Sequence, residues 1–328
     1  MRCISRAKSV ALVCVASISL FTGGFIGGKG ATPVTAYELK NYNQDLYQGK
    51  LYAEELCVAQ NDVALEGYTE DTELHSAALF DLTGERVLYS YKAHERLYPA
   101  STTKIMTALL AIENANLDDQ VTISGNADAS SFSADAQVCG LAKGEVWTLR
   151  DLLGALLLYS GNDAATAIAE YVGGSEEAFV NMMNRRAQEL MANGTHFMNP
   201  HGLHDDNHYT TAYDLYLIFN ECIKHEDFVN IIQSEAYTAY YTDVDGNSQE
   251  ALFTPTNLYA QGEVDVPENV TIVGGKTGTT DEAGYCLILM EKDSSDNPYI
   301  SIVMGASEKP VLYEDMTSLI EAIPSGQQ

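Results

Sequence analysis

The stretch Pro99-Ala100-Ser101-Thr102-Thr103-Lys104 leads into an apolar run, Ile105-Met106-Thr107-Ala108-Leu109-Leu110-Ala111-Ile112-Glu113. A proline ahead of a serine and a helix-forming run predicts a helix that starts at or beside Ser101. Residues three apart share a helix face, so Ser101 and Lys104 point the same way. A hydroxyl is a weak nucleophile until its proton is removed, and a neutral amine within hydrogen-bond reach can remove it. A helix start also offers free backbone N–H groups and the positive end of the dipole, which suit an oxyanion. Alone, Ser-x-x-Lys is a common pattern, and most copies are an N-cap beside a surface lysine.

Two further polar clusters lie downstream, Ser160-Gly161-Asn162 and Lys276-Thr277-Gly278 with Thr279 following, at separations of 59 and 116 residues. Each has a bland reading, a helix-linking turn for the first and a strand end with a solvated lysine for the second. Their surroundings set the architecture. Two β-rich runs, 76–81 and 86–91, flank a Gly-containing turn and read as a hairpin. Residues 113–235 are mostly helical, with apolar residues at helical spacing over 149–158, 164–171, 176–191 and 211–223, and Thr148 placed to cap the first. Strands follow at 270–279, 284–290 and 298–304, then a last helix over 313–323. Strands at both ends around a helical insert predict an α+β fold in three α/β/α layers, an antiparallel sheet flanked by helices.

The chain has 328 residues, enough for one large catalytic unit, and 46% hydrophobic residues, enough for a sizeable core. A net charge of −28 argues against a nucleic-acid partner. Arg2, Arg6 and Lys8 precede an uncharged run from Ser9 to Gly28, and Val34-Thr35-Ala36 supplies small residues for cleavage. Residues 1–36 therefore read as a signal peptide or an N-terminal anchor, and the body is exported. The paired glycines at 23–24 and 27–28 favour the cleaved form; the anchor would give N-terminal membrane attachment. Residues 37–72 are polar and acidic and read as a spacer, leaving 73–325 as the catalytic domain. Past the leader, Cys57, Cys139, Cys222 and Cys286 allow three disulfide connectivities, and none forms a Cys-x-x-Cys pair.

In this order the three clusters resemble the low-molecular-mass penicillin-binding proteins, the serine D-alanyl-D-alanine carboxypeptidases. The resemblance extends to Ser160-Gly161-Asn162-Asp163-Ala164-Ala165, to Asn199-Pro200-His201-Gly202-Leu203, and to Gly275-Lys276-Thr277-Gly278-Thr279 with Ala283-Gly284-Tyr285 beyond it. It implies a penicillin-binding/β-lactamase-like fold over 76–323 and a place at the cell wall or the outer face of the cytoplasmic membrane. The implied substrates are peptidoglycan stem peptides ending in D-Ala-D-Ala, the inhibitors β-lactam antibiotics, and no cofactor or metal is required. Ser101 becomes the nucleophile, Lys104 its base, and Ser160 the group that passes a proton to the departing amine. Asn162 holds the peptide backbone. Lys276, Thr277 and Thr279 meet the terminal carboxylate, and Gly278 keeps the strand open to an added substrate strand. The implied oxyanion hole is formed by the backbone N–H groups of Ser101 and Thr279.

Departures and rivals accompany the resemblance. Many members carry a late Arg for the substrate carboxylate; here no Arg follows Arg186, and Lys309 is the nearest basic candidate. The segment 195–199 lacks the Glu that a class A β-lactamase uses for deacylation. A DD-endopeptidase would use the same chemistry on a larger leaving group, and a wall-binding scaffold would not need these residues. The histidines and aspartates of 201–208 form a rival zinc reading, weakened by Pro200, Gly202 and the lack of a His-Glu-x-x-His base.

Overall fold

The computed structural model describes residues 52–65 and 75–324. The 1–36 leader and much of the 37–72 spacer lie outside these described residues. Strands β1 (Ser76–Asp81) and β2 (Arg86–Tyr91) form the expected hairpin. The chain then builds a helical layer: α1 (Lys104–Asn114), α2 (Leu149–Gly154), α3 (Asn162–Gly173), α4 (Glu176–Glu189), α5 (Ala212–Cys222) and α6 (Glu226–Ile232). Thr148 caps α2 by accepting the Asp151 N–H, as its position predicts.

The helical stretch also contains two three-residue strands, β3 (Gln120–Thr122) and β4 (Val146–Thr148). With β5 (Tyr237–Thr242) and β6 (Ser248–Phe253) they form a second antiparallel sheet in the order β3-β4-β5-β6. Three residues are too few to show a period of two, so these strands leave no pattern in the sequence. Trp147 of β4 fixes the sheet by stacking on Tyr241 of β5, centroids 4.2 Å apart.

After the short α7 (Leu258–Gln261), the chain enters β7 (Val270–Thr280), β8 (Gly284–Asp293) and β9 (Pro298–Ala306) and ends in α8 (Lys309–Glu321). The main sheet runs β2-β1-β9-β8-β7, antiparallel throughout, so strands from the two ends of the chain meet at β1 and β9. All six residues of β1 are buried because both faces of the strand are covered. Ala78 and Phe80 face the helical layer, and Ala77 and Leu79 face α8. The three α/β/α layers are those predicted, and β7 is left as an edge. The last helix begins at Lys309, earlier than the apolar pattern suggests, with Pro310 in its first turn.

The spacer reading is corrected within 52–65. Ala53, Leu56, Cys57, Val58 and Ala59 are buried in the core, the Cys57 N–H donates to the Tyr216 hydroxyl at 2.9 Å, and Val63 pairs with Ser90. The packed unit therefore includes residues before 73. The segment is largely apolar but shows no sustained period, and it is buried through partners outside it, Ser90 lying 27 positions from Val63 and Tyr216 159 positions from Cys57. Cys57, Cys139, Cys222 and Cys286 are all free thiols, so none of the three disulfide pairings forms. Burial pushes the Cys57 thiol up to about 12, which makes it unreactive.

Under α8, Glu291 of β8 is fully buried near Ser301, and desolvation pushes its carboxyl up to about 8. The unfolded carboxyl ionises near 4.5, so between the two values the folded state keeps a proton that the unfolded state has lost. Stability is fullest below about 4.5 and declines as pH rises through about 8. Glu291→Gln is expected to flatten the fall in melting temperature across this window and to raise stability at its alkaline end. An unchanged pH profile in the variant would contradict the assignment.

Candidate active site

The nucleophile turn is strained where the sequence places its chemistry. Residues Ala100–Thr103 form a 3-10 turn, and the α-helix begins at Lys104. Ala100 has φ +47°, a left-handed conformation uncommon for a residue with a side chain. The tighter turn keeps Ser101 and Lys104 on one side, as their spacing requires. A π-helical turn, Ala155–Tyr159, ends at Ser160, whose φ of +71° turns its hydroxyl out of the helix line. Strain at Ala100, beside Ser101, and at Ser160 persists because the packing around them fixes the backbone.

Lys104 is the centre of the arrangement. Its side chain is completely buried, and its Nζ lies 2.7 Å from Asn162 Oδ1, 2.6 Å from the His201 carbonyl oxygen and 2.9 Å from Ser101 Oγ. Two of these neighbours are carbonyl acceptors, each of which takes an N–H. A neutral amine has two N–H groups and one lone pair. Once the carbonyls are served, the lone pair faces the Ser101 hydroxyl. Desolvation, followed by the nearby charge of Lys276, holds the Lys104 amine well below the usual lysine range. Among the described residues no acid lies at salt-bridge distance, and the more distant Asp163 opposes the shift only weakly.

Lys276 approaches from β7. Its Nζ donates to Ser160 Oγ at 2.8 Å and to the Thr277 carbonyl at 2.9 Å, and burial brings its amine down to about 7. One polar chain thus runs from Ser101 through Lys104 to Asn162, while Lys276 holds Ser160 on the opposite wall. Ser101, Ser160, Asn162, Thr277, Gly278 and Thr279 line one cavity of about 370 Å³, with Lys104 and Lys276 buried beneath it. All eight residues singled out in the sequence are therefore brought together. Lys309 lines the same cavity from the start of α8.

Two glycines are required by close approach. A Cβ on Gly278 would lie 2.9–3.0 Å from the Pro99 carbonyl and the Ser101 and Thr102 nitrogens, so β7 can pack directly on the nucleophile turn. A Cβ on Gly161 would collide with Cys139 Sγ.

The sequence reading missed the residues that hold the walls. Asp163 is fully buried and accepts the N–H groups of Cys139, Gly140 and Leu141 at 2.9, 2.9 and 3.1 Å, and that of Ala164 at 2.9 Å. The Asn162 N–H donates to the Gln137 carbonyl at 2.8 Å, which ties the loop before the second motif to that motif. Thr256 meets Thr277, oxygen to oxygen, at 2.6 Å. Asp163 was visible beside Asn162, but nothing local showed that the 137–141 loop would close on it.

The 201–208 loop serves Lys104 through the His201 carbonyl, and its His201 and His208 rings are engaged by backbone and hydroxyl groups. Burial lowers His201 to about 3 and His208 to about 4, so both rings are neutral. The Leu203 N–H donates to His201 Nδ1, and the Met198 N–H to His208 Nδ1, each at 3.2 Å. With Nδ1 accepting, His208 carries its proton on Nε2 and donates to Thr103 Oγ1 at 2.8 Å. Among the described residues, the one group spaced to share an ion is Glu113, Glu221 and His225, and there Arg186 already bridges the two carboxylates.

A serine beside a buried lysine, a second serine held by a second lysine, and an open edge strand between them have the geometry of a serine-nucleophile site. This is the class to which the fold and the site point. A family model described as D-alanyl-D-alanine carboxypeptidase, Peptidase_S11, matches residues 64–308, and the chain belongs to that family. It is 34% identical over 254 residues to the D-alanyl-D-alanine carboxypeptidase DacF of Bacillus subtilis, covering 76% of this chain and 61% of that protein. It is 31% identical to DacC of Escherichia coli, covering 74% and 59%. The chain thus spans about three fifths of the length of these relatives. The crystal structure of the Streptomyces K15 DD-transpeptidase superposes with a TM-score of 0.71 at 28% identity, covering 78% of this chain and 98% of that one. Penicillin binding protein 5 of Haemophilus influenzae gives 0.68 at 27% identity, covering 78% and 72%.

Asp163→Ala removes the shared acceptor of three loop N–H groups and is expected to cost at least about 2 kcal/mol of stability. Loosening the cavity wall should also slow acylation. Wild-type melting temperature and acylation rate in this variant would contradict the role.

Proposed function

We propose that this chain is an exported serine D-Ala-D-Ala carboxypeptidase that removes the terminal D-Ala from peptidoglycan stem peptides through a Ser101 acyl-enzyme. The observation that carries the reading is the lone-pair geometry of Lys104. Ser101 Oγ gives its proton to the amine and attacks the carbonyl carbon of the penultimate D-Ala. The oxyanion is met by the N–H groups of Ser101 and Thr279. Ser160, held by Lys276, passes a proton to the departing D-Ala amine as the C–N bond breaks. The proton that Lys104 took from Ser101 then replaces the one Ser160 gave up, and Lys104, neutral again, draws a proton from the attacking water and returns it to Ser101 Oγ as the ester is hydrolysed. Asn162 holds the peptide backbone along the edge of β7. Lys276, Thr277, Thr279 and Lys309 face the terminal carboxylate, Lys309 in the absence of a late Arg.

Penicillin is read as an inhibitor and not as a substrate. Among the described residues, Asp135, exposed at the rim, is the only acid lining the cavity, and none of them sets a carboxylate beside Ser101 to deacylate a bulky ester. The β-lactamase alternative lacks its base here as it does in the sequence. Export and any membrane attachment rest on residues 1–36; no helix among the described residues is long and apolar enough to cross a membrane.

Intact mass spectrometry is expected to show one stable penicilloyl adduct per chain, absent in Ser101→Ala, with D-Ala release in that variant reduced by at least about a thousandfold. Rapid turnover of the β-lactam, or D-Ala release by Ser101→Ala, would contradict the reading. The pH profile gives an independent check. The Lys276 charge is lost as pH rises through about 7, so kcat/KM should fall on the alkaline side from there. Lys276→Arg keeps the charge and should carry that limb to higher pH.

A further inference from the structure

The link between β6 and α7 reads Thr254-Pro255-Thr256-Asn257, and the backbone on both sides of Thr256 is tied down. Pro255 fixes its own φ, and its carbonyl accepts the Gln261 side-chain amide at 2.9 Å. Asn257 caps α7 by accepting the Ala260 N–H at 2.8 Å. The Leu258 N–H donates to the Tyr313 hydroxyl of α8 at 2.9 Å. Thr256 lines the cavity, and its hydroxyl lies 2.6 Å from that of Thr277. Among the described residues neither hydroxyl has another hydrogen-bond partner.

Two hydroxyls in contact hold two protons. One lies between the oxygens, and the other is left for a third acceptor. Whichever threonine keeps it, the pair presents one O–H that its neighbour aims and polarises. The other donors near the cavity are less constrained or already spent. Lys276 lies beneath it and gives N–H groups to Ser160 and to the Thr277 carbonyl. Thr279 and Lys309 are exposed, and an ammonium on a flexible stem is a point charge without a fixed direction. In the proposed function, which this inference presupposes, Lys276, Thr277, Thr279 and Lys309 face the terminal carboxylate. Of these four, Thr277 is the one whose hydroxyl a neighbouring side chain orients.

We propose that Thr256 is a substrate-positioning residue that makes the site selective for leaving groups with a free carboxylate. No Arg follows Arg186, so the chain has no late guanidinium fork to hold that carboxylate in two places. Lys309 supplies the charge, and the Thr256–Thr277 pair supplies the direction that a lysine lacks. Tyr313 acts one step further back. Its hydroxyl holds the Leu258 N–H, which keeps the 255–258 link against α8 and Thr256 against Thr277. Thr256 takes no part in breaking or making bonds, so its effect is confined to substrates whose leaving group bears the anion.

The test measures kcat/KM on two donors with the same acyl-D-Ala group. One is a peptide ending in D-Ala-D-Ala; the other is a thioester whose thiol leaving group carries no carboxylate. Thr256→Val removes the hydroxyl at nearly constant volume and should lower the peptide-to-thioester ratio of kcat/KM by about tenfold or more. Thr256→Ser keeps the hydroxyl and should hold that ratio within about twofold of wild type. Tyr313→Phe should lower it in the same sense by about threefold. A merely structural role would reduce both donors together and leave the ratio unmoved. An unchanged ratio in Thr256→Val would therefore overturn the proposal, whether the two rates fall equally or not at all. A serine variant as impaired in the ratio as the valine variant would overturn it too. A wild-type chain that cleaves neither donor and forms no Ser101 adduct would be a failure of the carboxypeptidase reading, and the positioning role would fall with it.

Discussion

An ammonium ion cannot be taken out of water without several kcal/mol of desolvation cost unless an acid accompanies it. Lys104 is fully buried, among the described residues no acid lies at salt-bridge distance, and a second lysine stands nearby. The neutral amine satisfies these conditions, and it is also the form that can take a proton from Ser101. In the proposed mechanism, the same burial that would penalise a charged lysine supplies the base. Two carbonyl oxygens take its N–H groups, so the orientation of the lone pair is set by hydrogen bonding and not left to chance.

The rest of the fold keeps that pocket closed and correctly walled. The helical layer carries Lys104 and brings the π-turn that aims Ser160. The main sheet ends in β7, an edge strand whose glycine at 278 lets it lie against the nucleophile turn. Neutral His208 braces Thr103, and the carbonyl of His201 meets Lys104, so the histidine-rich loop acts through backbone and hydrogen bonds. Asp163 closes the remaining wall by gathering three consecutive N–H groups. Its buried charge has backbone donors on both oxygens, which makes its burial tolerable without a cation.

Much of this was legible in the sequence because it depends on local pattern. Runs of β-prone residues marked β1, β2 and the C-terminal strands, helix-prone runs marked α1 to α5, and the three polar clusters named eight residues that line or underlie the cavity. What escaped was decided at long range. Residues 52–65 lack a pattern of their own and are buried through Tyr216 and Ser90. The strands β3 and β4 are too short to show a period, and α8 starts ahead of its apolar stripe. Asp163, Gln137 and Thr256 carry no motif, and their roles exist only once a loop has closed on them. The histidines of 201–208 show the converse case. Their spacing suggested ligands, but the fold spends His201 Nδ1 and both ring nitrogens of His208 on backbone and hydroxyl partners and sets His204 beside Asp206 and Glu282.

The central claim is that Lys104 is an uncharged amine at neutral pH in the resting protein. Nuclear magnetic resonance of the lysine side-chain nitrogens, with Lys104→Arg to assign the signal, observes that charge state directly. The account predicts a Lys104 resonance in the neutral-amine position at pH 7, titrating well below the 10.5 of an ordinary lysine. A Lys104 signal that stays in the ammonium position until the alkaline range would contradict it, and the base for Ser101 would have to be sought elsewhere in the site.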